Sequence, residues 1–220
     1  MKDPEMSQAE AGVGEGVLVV GICGSLRAGS YSRSALRISL EGAHEVGAAT
    51  KLLDLREYEL VPYDGREDEG RYPKDVFRLR QEVRCAQGLI LVTPEYHGSF
   101  SGVLKNALDL MGFDEIGGKM VGLVGVSGGK LGALSALNDL RGVGRALHAW
   151  VIPEQASIAE AWRMFDDAGH LRDDDLQESL LEVGRQVARF SYLHSSESAM
   201  EFLQAWESAP ANLRSGTKDE

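Results

Sequence analysis

Short apolar runs alternate with amphipathic segments along most of this chain. Five of the runs have the length and character of buried strands, namely Val17–Cys23, Thr50–Leu55, Leu89–Thr93, Met120–Val126 and Leu147–Ile152. Apolar residues recur at helical spacing elsewhere, which predicts helices over Ser34–Val46, Pro73–Ala86, Ser101–Met111, Leu131–Leu140 and Asp174–Ser195. Strands that alternate with helices form parallel βαβ units with right-handed crossovers. The pattern therefore predicts an α/β fold.

The number of strands also predicts where a ligand binds. Five such strands in one domain suggest a flavodoxin-like three-layer sandwich, with a five-stranded parallel sheet of order 2-1-3-4-5. Ligands in that topology bind at the carboxyl ends of strands 1 and 3, where the strand order reverses. The two loops of unusual composition, Gly24–Arg33 and Thr93–Ser101, follow these two strands. We therefore expect the binding site at this edge of the sheet.

The first of these loops is rich in donors for an anion. It carries the guanidinium of Arg27 and three hydroxyls, those of Ser25, Ser30 and Ser32. It also opens a helix, whose first N–H groups have no intrahelical partner. Such groups can surround a phosphate. The loop is not a Walker A motif, because no Gly-Lys-Ser/Thr ends it, and the glycine cluster Gly12–Gly16 precedes the strand, unlike a dinucleotide-binding fingerprint.

The second loop has the composition of a platform for a flat ring. Pro94 fixes the backbone and lacks an N–H, and Gly98 lets the backbone approach a ligand closely. A third loop, Ser127–Gly132, follows the fourth predicted strand and would border the same crevice. Taken alone it is equally consistent with a tight strand-to-helix turn. Beside the other two loops, a ligand-facing role is favoured.

Length and composition fit one domain with tails. A chain of 220 residues and 23.9 kDa is long enough for one well-buried α/β domain with tails, and two full domains would fit only with difficulty. We predict a flexible leader over residues 1–16, a domain over 17–205 and a flexible tail over 206–220. No apolar run approaches the ~20 residues that span a bilayer. The acidic N-terminus also lacks the apolar core of a signal peptide, so a cytoplasmic location is expected.

Charge and side-chain chemistry exclude some functions. The formal net charge of −11 argues against a nucleic-acid surface, which needs a basic face. Cys23 and Cys85 are expected to be reduced, buried thiols, and the scattered histidines predict no metal site. The polar segment Tyr58–Tyr72 is expected to be a surface loop, with a lid or a dimer contact as open alternatives.

Two stretches resemble the signatures of NAD(P)H-dependent FMN reductases. They are Gly24-Ser25-Leu26-Arg27-x-x-Ser30-Tyr31-Ser32 and Pro94-Glu95-Tyr96-His97-Gly98-Ser99-x-Ser101-Gly102-x-Leu104-Lys105-Asn106-Ala107-x-Asp109, and Ser127-Gly128-Gly129 matches a third. The similarity covers about Val17–Pro153. It implies a flavodoxin-like fold, non-covalently bound FMN, NADPH or NADH as co-substrate, and a homodimer or homotetramer.

The resemblance also implies roles by position. The FMN phosphate would be held by Ser25, Arg27, Ser30, Tyr31 and Ser32. The isoalloxazine ring would be lined, largely through backbone groups, by Pro94, Glu95, Tyr96, His97 and Gly98. Its other side would be closed by Ser127 and Gly128. No catalytic residue is assigned, and the candidates for shaping the substrate face are Tyr96 and His97.

The chain departs from the family pattern at two site positions. Ser32 and His97 stand where the family often has Asn. Ser32 can still donate to a phosphate, whereas His97 changes the rim of the pocket and bears on substrate choice; a merely solvent-facing loop position is the alternative. The C-terminal extension that contains Trp162–Phe165 is also less typical. Contact with a neighbouring subunit near the flavin, a core role and a surface role all remain open for it.

The implied function is transfer of hydride from NAD(P)H through FMN to a small acceptor. The acceptor could be a quinone, an azo compound, a metal oxyanion or free flavin. Two alternatives stay open. One is a flavodoxin-like one-electron carrier, which the acidic charge of the chain still allows. The other is a flavin-binding sensor without NAD(P)H turnover.

Overall fold

The computed structural model describes residues 16–208, apart from three side chains in the last helix at positions 197, 198 and 207. The strands are β1 Leu18–Cys23, β2 Ala49–Asp54, β3 Gly88–Tyr96, β4 Ser99–Phe100, β5 Met120–Val126 and β6 Trp150–Ile158. The helices are α1 Tyr31–Glu45, α2 Lys74–Arg84, α3 Gly102–Asp109, α4 Phe113–Ile116, α5 Leu134–Ala146, α6 Ala161–Met164, α7 Asp174–Ser195 and α8 Glu197–Glu207.

Five parallel strands form the sheet in the order β2-β1-β3-β5-β6, and the short β4 pairs antiparallel with β3. This confirms the predicted order 2-1-3-4-5. Cys23, the last residue of β1, lies opposite Asp54 of β2 on one side and Val92 of β3 on the other. The first loop therefore starts between the ends of two neighbouring strands.

Helices cover both faces of the sheet. On one face, α1 and α7 bury a cluster that includes Leu36, Leu180 and Val187 against β1, β3 and β5. On the other face, α2, α3 and α5 bury a cluster that includes Leu79 and Leu104. β5 is buried at every position, as expected for an interior strand of a parallel sheet. The three-layer sandwich is confirmed.

The last strand and the helix before it differ from their predicted bounds. Helix α5 begins at Leu134 instead of Leu131, because Gly132 turns the chain with a φ of 72° and the N–H of Ala133 donates to the Ser157 hydroxyl at 2.9 Å. β6 begins at Trp150 and extends to Ile158. It tolerates Pro153 because it is an edge strand with a register shift opposite Gly122.

Further expectations are corrected or limited by the structure. Cys23 is buried as predicted, but Cys85 is exposed because it caps the end of α2 instead of lying on its inner face. Helix α8 extends through the predicted boundary between residues 205 and 206. The predicted tails, apart from residues 16 and 206–208, lie outside the described residues, and the division of the chain into these parts stays a prediction.

The segment between β2 and α2 is largely exposed, as predicted for a surface loop. The side chain of Asn106 on α3 anchors it from two sides: its Oδ1 accepts from the N–H of Tyr63 at 2.9 Å, and its Nδ2 donates to the carbonyl of Val61 at 3.0 Å. Between residues 16 and 208, no helix is both long and apolar enough to cross a membrane.

Candidate functional site

The first loop folds around a buried arginine. Arg33, in the first turn of α1, is 5% exposed. Its Nη1 donates to the carbonyls of Arg27 at 3.2 Å and Ala28 at 3.1 Å, and its Nη2 donates to those of Ser25 at 3.3 Å and Arg27 at 3.2 Å. Its Nε lies 3.0 Å from Oδ2 of Asp54. One guanidinium thus holds three carbonyl groups of the loop backbone.

This arrangement leaves backbone donors on the outer side of the loop. In a trans peptide the N–H points away from the carbonyl that precedes it. The N–H groups of Leu26, Ala28 and Gly29 therefore point away from Arg33, and none of them has an acceptor within residues 16–208. The N-terminus of α1 adds its own unpaired donors. The outer side of the loop has the donor set that a phosphate requires.

The predicted phosphate-binding side chains all lie on this loop or at the start of α1. Ser25, Ser30 and Ser32 are buried, at 3%, 8% and 2% exposure. Ser30 caps α1 by accepting from the N–H of Arg33 at 3.3 Å. Arg27 is exposed and has no ion pair within the described part of the chain. The structure brings these residues together, and their contacts with a phosphate stay a prediction.

Tyr31 also has a packing role. Its ring stacks on Phe165, with 5.4 Å between the centroids and 11° between the planes. Phe165 is 2% exposed, so the extension that contains it contributes to the core, whereas Trp162 is 60% exposed. Within this extension, Phe165 therefore has a core role and Trp162 lies on the surface.

Arg33 was missed by the sequence analysis. The available signal was its position on the same helical face as the apolar Leu36 and Leu40, three and seven residues further on. A charged residue on a buried face needs a partner. That pattern predicts a buried ion pair without revealing that the loop carbonyls would be part of it.

The second loop is a β-hairpin. β3 continues past the predicted end at Thr93 as far as Tyr96, and His97 and Gly98 form a two-residue turn with φ values of 54° and 82°. Positive φ at both turn positions matches the twist of the flanking strands. Among non-glycine residues, Asn, Asp and His adopt this conformation most readily. The backbone thus accounts for a histidine at a position where the resemblance suggests asparagine.

We expect His97→Asn to retain the fold and the flavin while changing the KM for the electron acceptor, because the variant keeps the turn and alters only the rim. His97→Val should instead lower the stability of the protein, because a β-branched residue at positive φ is strained by about 1–3 kcal/mol. Thermal unfolding and steady-state kinetics of the two variants measure these effects. A KM unchanged in His97→Asn for every acceptor would contradict a rim position.

The hairpin is fastened to α5. Oε2 of Glu95 accepts from the N–H of Ala136 at 3.1 Å, and Oγ of Ser99 donates to Oδ2 of Asp139 at 2.7 Å. The side chain of Glu95 therefore has a structural partner at the start of the helix that follows the third loop. This contact joins the second loop to the third.

Ser101 joins the first loop to the second. Its hydroxyl donates to the carbonyl of Gly24 at 2.6 Å and accepts from the N–H of Leu104 at 3.2 Å, which caps α3. Its own N–H donates to Oγ1 of Thr93 at 2.9 Å. The side chain is 1% exposed. Loss of this hydroxyl would leave the Gly24 carbonyl and the start of α3 without their partner.

Ser101→Ala is therefore expected to lower the free energy of unfolding by about 1–3 kcal/mol. Ser101→Thr keeps the hydroxyl and serves as the matched variant. Urea denaturation of both proteins measures the difference. If the alanine variant is as stable as the wild type, the link between the two loops does not exist as described.

The third loop completes the crevice. The N–H of Ser127 donates to the carbonyl of Ile158 at 2.8 Å, and its Oγ accepts from the N–H of Gly129 at 3.0 Å. Gly128 is exposed, and a Cβ added to it would meet no atom within 4 Å. The same is true of Gly29 and Gly98 in the other two loops. All three loops thus present glycine backbone to open space at the carboxyl edge of the sheet.

The Cys23 thiol lies at the base of the crevice. Burial raises the pKa of the Cys23 thiol, whose Sγ lies 3.9 Å from the carbonyl of Ser25. The thiol is therefore protonated at neutral pH and serves as a small apolar side chain. Within the described residues, no group of three His, Cys, Asp or Glu side chains could hold a metal ion. The crevice offers hydrogen-bond donors and backbone surface.

Another concave region lies elsewhere. A groove of about 1080 Å³ is formed by the start of β1, the end of α1 and the last turns of α7. It is at the amino edge of the sheet, and none of the three loops lines it. This groove contains none of the unpaired N–H donors of the first loop. These donors and the open glycine backbone fit the phosphate and ring of FMN.

A family model and two curated relatives of this chain carry the same description, FMN reductase. The model of the family described as NADPH-dependent FMN reductase matches residues 17–163. The NADPH-dependent FMN reductase ArsH of Shigella flexneri is 30% identical over 182 residues, which cover 80% of this chain and 69% of that protein. An NAD(P)H-dependent FMN reductase of Pseudomonas aeruginosa is 35% identical over 167 residues, which cover 74% and 88% of the two chains.

Solved structures agree on the fold. The flavoenzyme FerB, an NAD(P)H:acceptor oxidoreductase of Paracoccus denitrificans, superposes with a TM-score of 0.67 at 22% identity, covering 81% of this chain and 98% of that one. An archaeal flavodoxin superposes with a TM-score of 0.54 at 9% identity, covering 80% and 99%. The family match, which spans every strand of the sheet and all three loops, shows that the chain belongs to the NADPH-dependent FMN reductase family.

Proposed function

We propose that this protein is an FMN-dependent oxidoreductase that takes hydride from NAD(P)H and passes the electrons to a small acceptor. The observation that carries the proposal is the set of unpaired N–H donors on the first loop, facing a crevice that two further glycine-bearing loops border. Bound FMN supplies the redox chemistry, because its ring accepts a hydride and releases electrons to a second substrate. The protein supplies binding, orientation and an open face.

Each loop has a separate task in this proposal. The N–H groups of the first loop, the hydroxyls of Ser25 and Ser32 and the guanidinium of Arg27 hold the phosphate. The backbone of Pro94–Gly98 supports one side of the ring, and Ser127 with Gly128 closes the other. Tyr96 and His97 are exposed and shape the face at which the acceptor binds. No side-chain acid is required, because water can protonate a reduced acceptor.

The finer features of the function are also proposals. The acceptor is a quinone, an azo compound, a metal oxyanion or free flavin; a Bacillus relative that is 37% identical over 139 residues is an NADPH azoreductase. A homodimer or homotetramer is supported by α8, on which Met200, Phe202 and Leu203 are 46%, 68% and 44% exposed. A cytoplasmic location is a further part of the proposal. Light scattering after size-exclusion chromatography measures the oligomeric state.

Steady-state kinetics test the proposed reaction. NADPH oxidation by the FMN-loaded protein is measured with each of the four acceptor classes, and both substrates are varied. A flavin that is reduced and reoxidised in turn gives parallel lines in double-reciprocal plots. FMN binding without NAD(P)H oxidation would overturn the proposal and favour an electron carrier. Oxidation that is slow with every acceptor would favour a sensor.

A further inference from the structure

A cluster of three charged side chains lies directly behind the first loop. Arg33 pairs with Asp54, and Nε of Arg56 donates to both carboxylate oxygens of Asp54 at 3.0 Å. The side chains of Arg33 and Asp54 are 6% and 8% exposed, whereas that of Arg56 is 40% exposed. The hydrogen bond from Arg56 is the main cause that lowers the pKa of Asp54. Asp54 is thus ionised at neutral pH, and the cluster carries a net positive charge.

Burial of Arg33 needs an explanation other than stability. Removing a guanidinium and a carboxylate from water costs several kcal/mol per ion, and a well-packed apolar pair is often as stable. The four hydrogen bonds from Arg33 go to carbonyls of the first loop. Those contacts set the direction of the peptide groups, and therefore the direction of the N–H groups of Leu26, Ala28 and Gly29.

A lysine could not reproduce this arrangement. The planar guanidinium presents five N–H donors in a fixed fork, whereas an ammonium is a compact charge with three. Arg33 uses its fork to reach the carbonyls of Ser25, Arg27 and Ala28, while its Nε forms an ion pair with Asp54 at 3.0 Å without a hydrogen bond. A lysine at this position keeps the charge and an ion pair with Asp54 but cannot hold all three carbonyls at once.

We propose that Arg33, held by Asp54, is a positioning residue that shapes the first loop into a phosphate site and thereby makes the protein select FMN over the unphosphorylated flavin, riboflavin. Arg33 lies behind the loop and does not itself bind the phosphate. It acts through the backbone N–H groups, and its charge adds to the positive potential of the site. This inference rests on the proposed FMN site and assigns the origin of its selectivity.

The test compares two lysine variants of the same ion-pair cluster. Arg33→Lys removes the fork that holds the loop. Arg56→Lys is the matched control, because Arg56 pairs with the same Asp54 but makes no hydrogen bond to the loop among the described residues. Dissociation constants for FMN and riboflavin are measured with each flavin-free protein by quenching of flavin fluorescence. Thermal unfolding without flavin is recorded for each protein.

In Arg33→Lys we expect the dissociation constant for FMN to rise about 10- to 100-fold, as for the loss of one or two charge-assisted contacts. The dissociation constant for riboflavin should change by less than about threefold. The ratio of the two constants should stay at its wild-type value in Arg56→Lys. The inference would be overturned if Arg33→Lys bound both flavins more weakly by the same factor, if its ratio of dissociation constants equalled that of the wild type, or if it failed to fold. Each of these results would leave Arg33 a purely structural role. A wild-type protein that binds neither flavin would instead overturn the proposed function itself.

Discussion

Gly184→Ala is expected to destabilise the fold by about 3 kcal/mol or more, because overpacking a rigid contact forces the backbone to move. Gly184 lies where α7 crosses α1. A Cβ added to it would be 1.8 Å from the carbonyl oxygen of Ser39 and 2.8 Å from the N of Ala43. Both are backbone atoms of α1, so no side-chain rotation can relieve the overlap. The two helices would have to separate over one face of the sheet.

Gly142→Ala is the matched control. Gly142 is also in a helix, α5, but a Cβ added to it meets no atom within 4 Å. Alanine is a better helix former than glycine, so this variant should gain about 0.5–1 kcal/mol. Urea denaturation gives both values, provided that the m-value is unchanged. Wild-type stability in Gly184→Ala would show that α1 and α7 are not packed this closely.

Arg27→Ala is expected to weaken FMN binding by about 1.5–3 kcal/mol, the range for a charge-assisted hydrogen bond. This corresponds to a dissociation constant about 10- to 150-fold higher. Arg27 is exposed at the open side of the first loop and has no ion pair among residues 16–208. Its guanidinium is therefore available to a phosphate. Titration of the flavin-free protein with FMN measures the effect.

Arg37→Ala provides the control for that loss of charge. Arg37 is an exposed arginine on α1 that also has no ion pair within the described chain, but it lies beyond the first turn of the helix. Its removal changes the net charge by the same amount and should leave the affinity for FMN within about twofold. If both variants bind FMN as the wild type does, Arg27 has no contact with the phosphate.

The parts of the fold that sequence predicts best are those that local pattern determines. The continuous apolar run of β5 and the periodicity of α7 gave the bounds that the structure has. The bounds of β6 were harder to predict, because an edge strand carries polar residues and its extent is set by pairing with β5. The start of α5 depends on the contact between Ala133 and Ser157, which are 24 residues apart. Such a contact leaves no local signal.

For the three loops as well, the sequence pattern predicted position better than internal structure. The loops were located correctly, because the carboxyl ends of parallel strands meet at one edge of the sheet. Their internal structure was not predicted. The burial of Arg33 depends on Asp54 at the end of a neighbouring strand, and the anchoring of Glu95 depends on α5. These contacts join residues that are 21 and 41 positions apart. Composition and strand order therefore predicted which loops meet at this edge, and tertiary contacts determine the geometry of those loops.

Reduction of the bound flavin by NAD(P)H is followed in the visible spectrum of the FMN-loaded protein during anaerobic addition of NADPH, and then NADH. Oxidised flavin absorbs near ~450 nm, and transfer of hydride to its ring removes that band. We expect rapid loss of the band with at least one of the two nucleotides and its return when an acceptor is added. A band that is lost only with dithionite would contradict the assignment as an NAD(P)H-dependent reductase.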